Sequence, residues 1–174
     1  MCPYCLLDWM EKFPEGITWR DKQFLPRVGR QIKKNRNEER KRQRDKLKSI
    51  RRLIREARVP FQRWIRWRDN QEPCISCGAR ESPIWDAGHY YKAELYTGLI
   101  FDELNVNKQC RKCNTFLGGN ESGYRKGLLK KYGRKKVEQL DLKADSLRVY
   151  KYNREEIKQI KSKYQKKLKD ETIG

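Results

Sequence analysis

Two cysteine pairs bracket the stretch that decides the fold: CISCG at residues 74–78 and CRKC at residues 110–113, with WDAGHY at residues 85–90 between them. Each pair has the Cys-x-x-Cys spacing of a zinc knuckle, and four thiolates together complete a closed tetrahedral site. His89 is the single histidine in 174 residues and lies between the pairs. The stretch therefore predicts a small metal-stabilised core that presents one histidine.

The overall composition favours such a core over a large apolar one. The chain is 36% hydrophobic and 38% charged, which is too polar for one apolar core that fills its whole length. Metal binding supplies folding free energy that apolar burial cannot supply here. We predict one structural zinc ion held by Cys74, Cys77, Cys110 and Cys113, with disulfides or unrelated thiols as the alternative.

The charge balance indicates the class of partner. Lysine and arginine number 43 against 23 acidic residues, so the formal net charge is +20. Such an excess favours a polyanion, with DNA or RNA ahead of an anionic membrane surface. The sequence has no apolar run of 18 residues and no signal-peptide pattern at its start, so we expect no membrane partner and a cytoplasmic location. Reduced thiols in that compartment act as metal ligands more often than as disulfides.

The N-terminal half divides into two predicted segments. Residues 1–26 are predicted to form a poorly regular segment with an incomplete cysteine pair, Cys2 and Cys5. That pair is either a leftover or half of a knuckle completed by a second chain. Residues 27–70 are predicted to form a basic helical arm, with one helix that Pro60 ends or kinks at Val59.

The basic arm is a candidate surface for nucleic acid. Residues 27–58 contain 15 basic and 4 acidic side chains, so the arm is either a phosphate-contacting surface or a solvated helix. The side chains that we predict to contact nucleic acid are Arg40, Arg42, Arg44, Lys48, Arg51, Arg52, Lys112 and Asn120.

The C-terminal half is predicted to hold the core at residues 71–132 and a helical extension at residues 133–174. Residues 84–91 have strand-like composition, and residues 99–101 are their predicted partner strand. Helices are predicted at residues 121–132, at residues 134–140 and after a capping box that starts at Asn153. In this arrangement His89 would face Asn114 across a groove.

The motifs resemble those of a known family. The stretch from CISCG through WDAGHY, NVNKQC and CNTFLGGN to YQKKLKD is similar to the NinG (Rap) recombination proteins of lambdoid phages, over about residues 38–170, and more distantly to HNH nucleases. The resemblance implies a structure-specific DNA endonuclease that acts on branched recombination intermediates such as Holliday junctions and D-loops. It also implies an α+β fold, in which a zinc-bound treble-clef, HNH-like (ββα-metal) centre carries long basic helical extensions.

The chain differs from the HNH and NinG patterns at several positions, and these differences bear on the ligands of a hydrolytic metal ion. Gly88 stands where HNH nucleases carry an acidic residue just before the catalytic histidine, and Asn114 replaces their last histidine. Asp86 and Asn114 are therefore the predicted ligands of a hydrolytic magnesium or manganese ion, because these ions prefer oxygen ligands. A turn cap for Asp86 and a helix cap for Asn114 are the alternatives. Asn107 stands where the NinG family commonly has histidine, so we expect its replacement to be mild.

The predicted reaction assigns a role to the histidine and to one asparagine. A neutral His89 can take a proton from water during phosphodiester hydrolysis, because its reference pKa lies near neutrality. The HNH pattern implies that Asn105 holds the ring in the needed tautomer. A structural or zinc-binding histidine is the alternative for His89.

Two other functions remain open. The first is a zinc-containing recombination protein that binds branched DNA without cutting it. The second is a zinc-ribbon protein linked to RNA binding or transcription, which would leave His89 unexplained. Branched substrates suggest a homodimer, and phage or host recombination proteins are possible partners.

Overall fold

The computed structural model describes residues 2–170, and these residues belong to two compact units, which the chain position between Lys48 and Ser49 divides. Met1 and residues 171–174, the ends of the first and last predicted segments, lie outside the described residues. Helices and one small two-stranded sheet make up the fold, so the predicted α+β class is confirmed. Within the described residues, no helix is long and apolar enough to cross a membrane.

The described part of the first unit is helical except at a few positions such as Phe13, so the prediction of a poorly regular segment at residues 1–26 is wrong. It contains α1 (Pro3–Lys12), α2 (Pro14–Trp19), a π-helical turn (Arg20–Phe24) and α3 (Leu25–Leu47). Pro3 and Pro14 each begin a helix, where the missing proline N–H had no intrahelical partner to lose.

The small apolar centre of the first unit is aromatic. The ring of Trp19 lies between those of Trp9 and Phe24, with centroid distances of 6.2 and 5.7 Å. Met10 is 3% exposed. Helix α3, in contrast, buries none of its residues, so its 23 residues depend on intrinsic helix propensity and on polar side-chain pairs.

The predicted single helix of the basic arm is in fact two helices. Helix α4 (Ile50–Arg68) begins after Ser49, whose hydroxyl accepts a hydrogen bond from the Arg52 backbone N–H at 3.3 Å. The serine satisfies one of the free amide groups at the helix start. The helix therefore breaks at residues 48–49, within the predicted single helix.

Pro60 lies inside α4 and does not end it, so the first of the two predicted alternatives, an end at Pro60 rather than a kink at Val59, is wrong. The helix continues to Arg68, and Pro60, Phe61, Trp64 and Ile65 are all buried. An internal proline removes one backbone hydrogen bond. Burial of the three apolar side chains that follow outweighs that loss, since each contributes about 1.5–3 kcal/mol.

Strand β1 (Trp85–His89) pairs with β2 (Val106–Cys110) in an antiparallel hairpin, with Trp85 opposite Cys110 and His89 opposite Val106. The predicted partner at residues 99–101 is wrong, because Leu99 ends a 3₁₀ turn (Thr97–Leu99) and is fully buried beside α5 and α6. Strand β2 contains three consecutive polar residues between its ends, so its burial is not visible as an apolar pattern.

Helices cover both faces of the hairpin. On one face, Ala87 and Val106 pack against Phe61 and Ile65 of α4, with Tyr164 in the same cluster. On the other face, the Tyr124 hydroxyl donates to the Gly88 carbonyl at 2.8 Å. The two faces of the strands therefore lie in different environments, one apolar and one polar.

Three helices complete the second unit: α5 (Glu121–Tyr132), α6 (Arg134–Ser146) and α7 (Arg154–Asp170). Gly133 ends α5 with φ of 80° as predicted, and α6 runs six residues beyond the predicted end. The capping box is confirmed, because Asn153 and Glu156 exchange backbone-to-side-chain hydrogen bonds of 2.8 and 2.9 Å. A π-helical turn (Lys112–Phe116) joins β2 to the segment before α5.

Candidate metal centre and nucleic-acid interface

Four cysteine sulfur atoms converge at the end of the hairpin. The sulfurs of Cys74, Cys77, Cys110 and Cys113 all lie within 4.8 Å of one another, and those of Cys77 and Cys110 are 3.8 Å apart. Sulfurs on one tetrahedral zinc ion, at about 2.3 Å from it, lie about 3.8 Å from each other. The described residues therefore include a four-cysteine cluster that can hold one metal ion.

Local geometry explains how the cluster forms. Gly78 follows the first pair with φ of +75°, a conformation that glycine adopts without strain. The Cys110 backbone N–H donates to the Cys74 sulfur at 3.3 Å, and the Asn120 amide donates to the Cys113 sulfur at 3.5 Å. These N–H groups therefore already point at the sulfur atoms, which would carry negative charge as metal-bound thiolates.

The thiol pKa values indicate how metal binding depends on pH. Burial works against ionisation of Cys74, yet the surrounding backbone amides lower the pKa of that thiol below its usual value. Burial raises the pKa of the Cys113 thiol to about 12. Because metal binding must displace thiol protons, affinity for the metal decreases as pH falls.

Asp86 and Asn114, the predicted ligands of a hydrolytic metal, meet on the polar face of the hairpin. The Asn114 amide donates to an Asp86 carboxylate oxygen at 3.1 Å. Arg111 also binds both oxygens of that carboxylate, with distances of 2.7 and 2.8 Å. The structure brings the two predicted residues together and adds an arginine that the sequence analysis did not single out.

Gln109 contributes a third side-chain oxygen to this place, which we call the Asp86 corner. The Gln109 amide nitrogen donates to the Ser76 hydroxyl and the Gly119 carbonyl, both at 2.6 Å. Its buried Oε1 has no hydrogen-bond partner among the described residues. A Cβ atom on Gly88 would lie 2.0 Å from this Oε1 and 3.1 Å from the Asn114 Oδ1, so both oxygens approach the bare side of the glycine.

The donors at the Asp86 corner fit a hard divalent cation. Carboxylate and amide oxygens from Asp86, Asn114 and Gln109 are the ligand types that magnesium and manganese prefer. A buried oxygen without a partner is the kind of atom that an ion or water satisfies. Arg111 competes for the same carboxylate, so a cation would enter only after Arg111 releases at least one oxygen.

His89 has a defined neutral state. Its Nε2 lies 3.1 Å from the Ile100 carbonyl oxygen, and a carbonyl only accepts, so this geometry assigns the proton to Nε2 and leaves Nδ1 as the basic nitrogen. Burial lowers the pKa of His89 from 6.5 to about 4, although the bond to Ile100 acts in the opposite direction. The ring is therefore uncharged at neutral pH.

The predicted groove between His89 and Asn114 is wrong. Side chains alternate along a strand, so His89 lies on the same side of β1 as Ala87, which packs against α4. Asp86 and Gly88 lie on the other side, where Gly88 adjoins Gln109 and Asn114. The odd spacing between Asp86 and His89 separates the two predicted catalytic elements onto opposite faces of the hairpin.

Among the described residues the Asn105 side chain makes no hydrogen bond to the histidine ring, contrary to the predicted role. Its amide nitrogen donates to the carbonyls of Tyr91 and Leu99 at 3.1 and 3.0 Å, and its oxygen accepts from the Tyr91 N–H at 2.7 Å. These bonds hold the two ends of the connection between the strands. Asn105 therefore fixes Leu99 and, through it, the neighbouring carbonyl of Ile100 that binds His89.

The residues predicted to contact nucleic acid are divided between the two units. The exposed ones belong to both units: Arg40, Arg42, Arg44, Arg51, Arg52 and Lys112. Lys48 is half-buried and lies 2.7 Å from the Asp45 carboxylate. Asn120 is half-buried and bonds to the Cys113 sulfur, which indicates a structural role for it.

The sequence did not predict the buried polar network around Asp69. Asp69 is 2% exposed and pairs with Arg68 and Lys131, each at 2.7 Å. The Asn107 oxygen accepts from both cations and from the Tyr132 hydroxyl. Asn107 is completely buried, so its burial argues against the mild replacement that we expected. The only signal in the sequence is a run of polar residues in what proves to be a buried strand.

Comparison with known proteins now adds the family. The family model described as "Bacteriophage Lambda NinG protein" matches residues 12–172. The chain belongs to the NinG family. It is 42% identical to the NinG protein of Escherichia phage 933W, 43% to that of Salmonella phage P22 and 41% to that of Escherichia phage lambda, in each case over 134 residues.

These matches cover 72% of this chain but only 64–65% of each NinG relative, slightly less than two thirds. No solved structure matches the chain. The resemblance inferred from the motifs is thus confirmed for the NinG family, while the more distant HNH likeness stays a prediction.

Proposed function

We propose that this NinG-family chain is a metal-dependent endonuclease that cuts branched DNA recombination intermediates such as Holliday junctions and D-loops. The Asp86 corner carries the proposal. It places three oxygen donors beside a four-cysteine cluster, on a chain with a net charge of +20. In this proposal the cysteine cluster holds structural zinc in a treble-clef, HNH-like centre.

In this proposal the residues at and beside the Asp86 corner have separate roles. Asp86 and Asn114 hold the hydrolytic ion, and Gln109 lies close enough to complete the site. Magnesium or manganese supplies charge stabilisation at the phosphate and at the departing oxygen. Arg111 adjoins the Asp86 carboxylate, so once it is displaced its guanidinium can bind a phosphate oxygen.

His89 is proposed as the general base, and this role requires a particular position of the scissile phosphate. Its Nδ1 is unprotonated at neutral pH, as a base requires. Because the ring lies on the opposite face of β1, the scissile phosphate would have to sit at the end of the strand, where both faces are reachable. Asn105 acts as a positioning residue, since it fixes the segment whose carbonyl binds His89.

DNA binding in this proposal comes from the basic helices. Exposed arginines and lysines on α3 and on the first turn of α4 would release counterions from the phosphate backbone. A homodimer in the cytoplasm, working with phage or host recombination proteins, agrees with a branched and two-fold symmetric substrate.

A second candidate is a recombination protein that binds branched DNA without cutting it. One observation favours it: Arg111 already neutralises Asp86 through two hydrogen bonds, and the arginine must move before an ion can bind. Strand alternation, which separates His89 from Asp86, points in the same direction.

Cleavage of labelled four-way junction, D-loop and plain duplex, with and without magnesium, separates the two candidates. We expect magnesium-dependent cutting of the branched forms. Asn114→Ala should reduce the single-turnover rate and need more magnesium, and His89→Ala should lower the rate roughly 10²–10⁴-fold with junction binding retained. Thr115→Ala, an exposed neighbour, is the matched control. Tight junction binding with no cutting at any magnesium or manganese concentration would establish the binder instead.

A further inference from the structure

A cleft of about 500 Å³ lies between the first cysteine knuckle and α5. Residues 72–76 and Gly78 form one wall, and Gly123, Lys126, Gly127 and Lys130 of α5 form the other. The two glycines let the helix approach, since a Cβ on Gly127 would lie within 2 Å of the Ile75 carbonyl and one on Gly123 would lie 2.4 Å from the Ser76 carbonyl. The cleft is therefore a fixed part of the second unit.

The outer rim of this cleft carries three cations without partners. Arg80, Lys126 and Lys130 are exposed, and within residues 2–170 their side chains make no hydrogen bond or ion pair. Lys126 and Lys130 are four residues apart on α5 and so lie on the same face. Arg80 lines the same cleft and follows the knuckle in sequence.

The deeper cations of the cleft already have hydrogen-bond or ion-pair partners. Asp69 pairs with Arg68 and Lys131, and the Lys108 ammonium donates to the Asn70 carbonyl at 2.8 Å. Glu72 is the remaining acidic side chain in the lining. The rim thus keeps a positive excess that the protein does not neutralise internally, and an anion would neutralise it.

The cleft also adjoins the Asp86 corner. Gln109 spans the two, since its amide nitrogen binds Ser76 in the cleft wall while its oxygen lies against Gly88 in the corner. One glutamine side chain therefore separates the cation-lined cleft from the candidate metal ligands. An anionic polymer lying in the cleft would pass directly beside that corner.

We propose that the cleft binds the phosphodiester backbone of one DNA strand next to the branch point, a contact separate from that of the basic arm. The inference rests on the proposed function, because it takes DNA as the partner. Arginine and lysine bind phosphate without reading the bases. The contact would therefore position the strand and would not select its sequence.

Matched charge removal tests the proposal. The cleft variant is Arg80→Gln with Lys126→Gln and Lys130→Gln. The control is Arg134→Gln with Lys135→Gln and Lys136→Gln, which removes the same charge from exposed positions at the start of α6. Fluorescence anisotropy measures the binding of a four-way junction and of duplex DNA over a range of salt concentrations, without added magnesium. Zinc content and circular dichroism confirm that both variants remain folded.

We expect the cleft variant to lose about 3 from the slope of log affinity against log salt, and to bind on the order of 10²-fold more weakly at 0.1 M salt. The control should stay close to the unmodified chain. Equal losses in the two variants, or no loss in the cleft variant, would overturn the cleft while leaving DNA binding intact. Failure of the unmodified chain to bind any DNA would overturn the proposed function and the cleft together. If the triple variant does not fold, Lys126→Gln alone should still lower the slope by about 1, and an unchanged slope would reject the proposal.

Discussion

Gly88→Ala tests the packing that builds the Asp86 corner. The new Cβ would lie 2.0 Å from the Gln109 Oε1, more than an ångström closer than ordinary contacts allow. To relieve this steric clash the Gln109 side chain would have to move, which would weaken its two hydrogen bonds to Ser76 and Gly119. Those bonds contribute about 0.5–1.5 kcal/mol each and overpacking costs about 1–3 kcal/mol. We expect a loss of about 3 kcal/mol in the free energy of unfolding.

Urea denaturation of zinc-saturated protein measures this loss, and a double-mutant cycle assigns it. In a Gln109→Ala background the same Gly88→Ala change should cost at least about 1.5 kcal/mol less, because the clashing oxygen is gone. Gly29→Ala is the control, since nothing lies within 4 Å of its Cβ position on α3 and alanine favours a helix by up to about 1 kcal/mol. An equal cost of Gly88→Ala in both backgrounds would refute the contact.

Three further expectations concern the metal, the arm and the histidine. Cys110→Ser or chelation should remove about one zinc ion per chain and unfold the second unit. Elemental analysis measures the zinc and circular dichroism measures the folding, and a native-like spectrum of zinc-free protein would contradict the expectation. Joint neutralisation of Arg40, Arg42, Arg44 and Lys48 should weaken binding to junction and duplex about equally in anisotropy titrations; unchanged affinity would make α3 a solvated helix. Because the pKa of His89 is lowered in the folded chain, the histidine of the unfolded chain takes up a proton first as the pH falls below about 6.5. Protonation should therefore lower the free energy of unfolding by about 1 kcal/mol between pH 7 and pH 5.5. Denaturation of the original chain and of His89→Gln at both pH values measures this loss, which should vanish in the variant.

The cysteine cluster was predictable because its signal lies in residue type and spacing. Thiols at Cys-x-x-Cys spacing have few uses in a polar chain, so the metal frame follows without knowledge of the intervening fold. Helix α5 and the capping box of α7 were predictable for a similar reason, because Gly133 and Asn153 act on their immediate neighbours.

The hairpin partner was not predictable because tertiary contacts determine it. Strand β2 is buried but polar, and its polar groups find partners elsewhere in the chain: the Lys108 backbone N–H donates to Asp69, and the Gln109 amide donates to Ser76 and Gly119. Residues 99–101 gave the stronger apolar pattern, yet that pattern reflects burial against α5 and α6. The break at Ser49 and the continuation through Pro60 likewise depend on packing that periodicity does not record.

The sequence singled out Asp86, Asn114 and His89 as candidates, but it did not predict how these residues are arranged. Asp86 and Asn114 do meet, whereas His89 lies on the other face of β1 because an odd number of positions separates it from Asp86. Arg111 was visible in the sequence only as one of many basic residues. Its pairing with Asp86 depends on β1 and the turn after β2 lying side by side.

The four-cysteine cluster also has a consequence for the order of folding. Cys77 and Cys110 are 33 positions apart, and closing a loop of that length costs an unfolded chain about 3–4 kcal/mol in entropy. A metal ion captured early by both pairs would close the loop before β1 and β2 meet, so the hairpin would then form as a local contact. Folding should therefore be faster when zinc is present from the start than when it is added to a collapsed chain, because contacts between distant residues slow the search for the native topology.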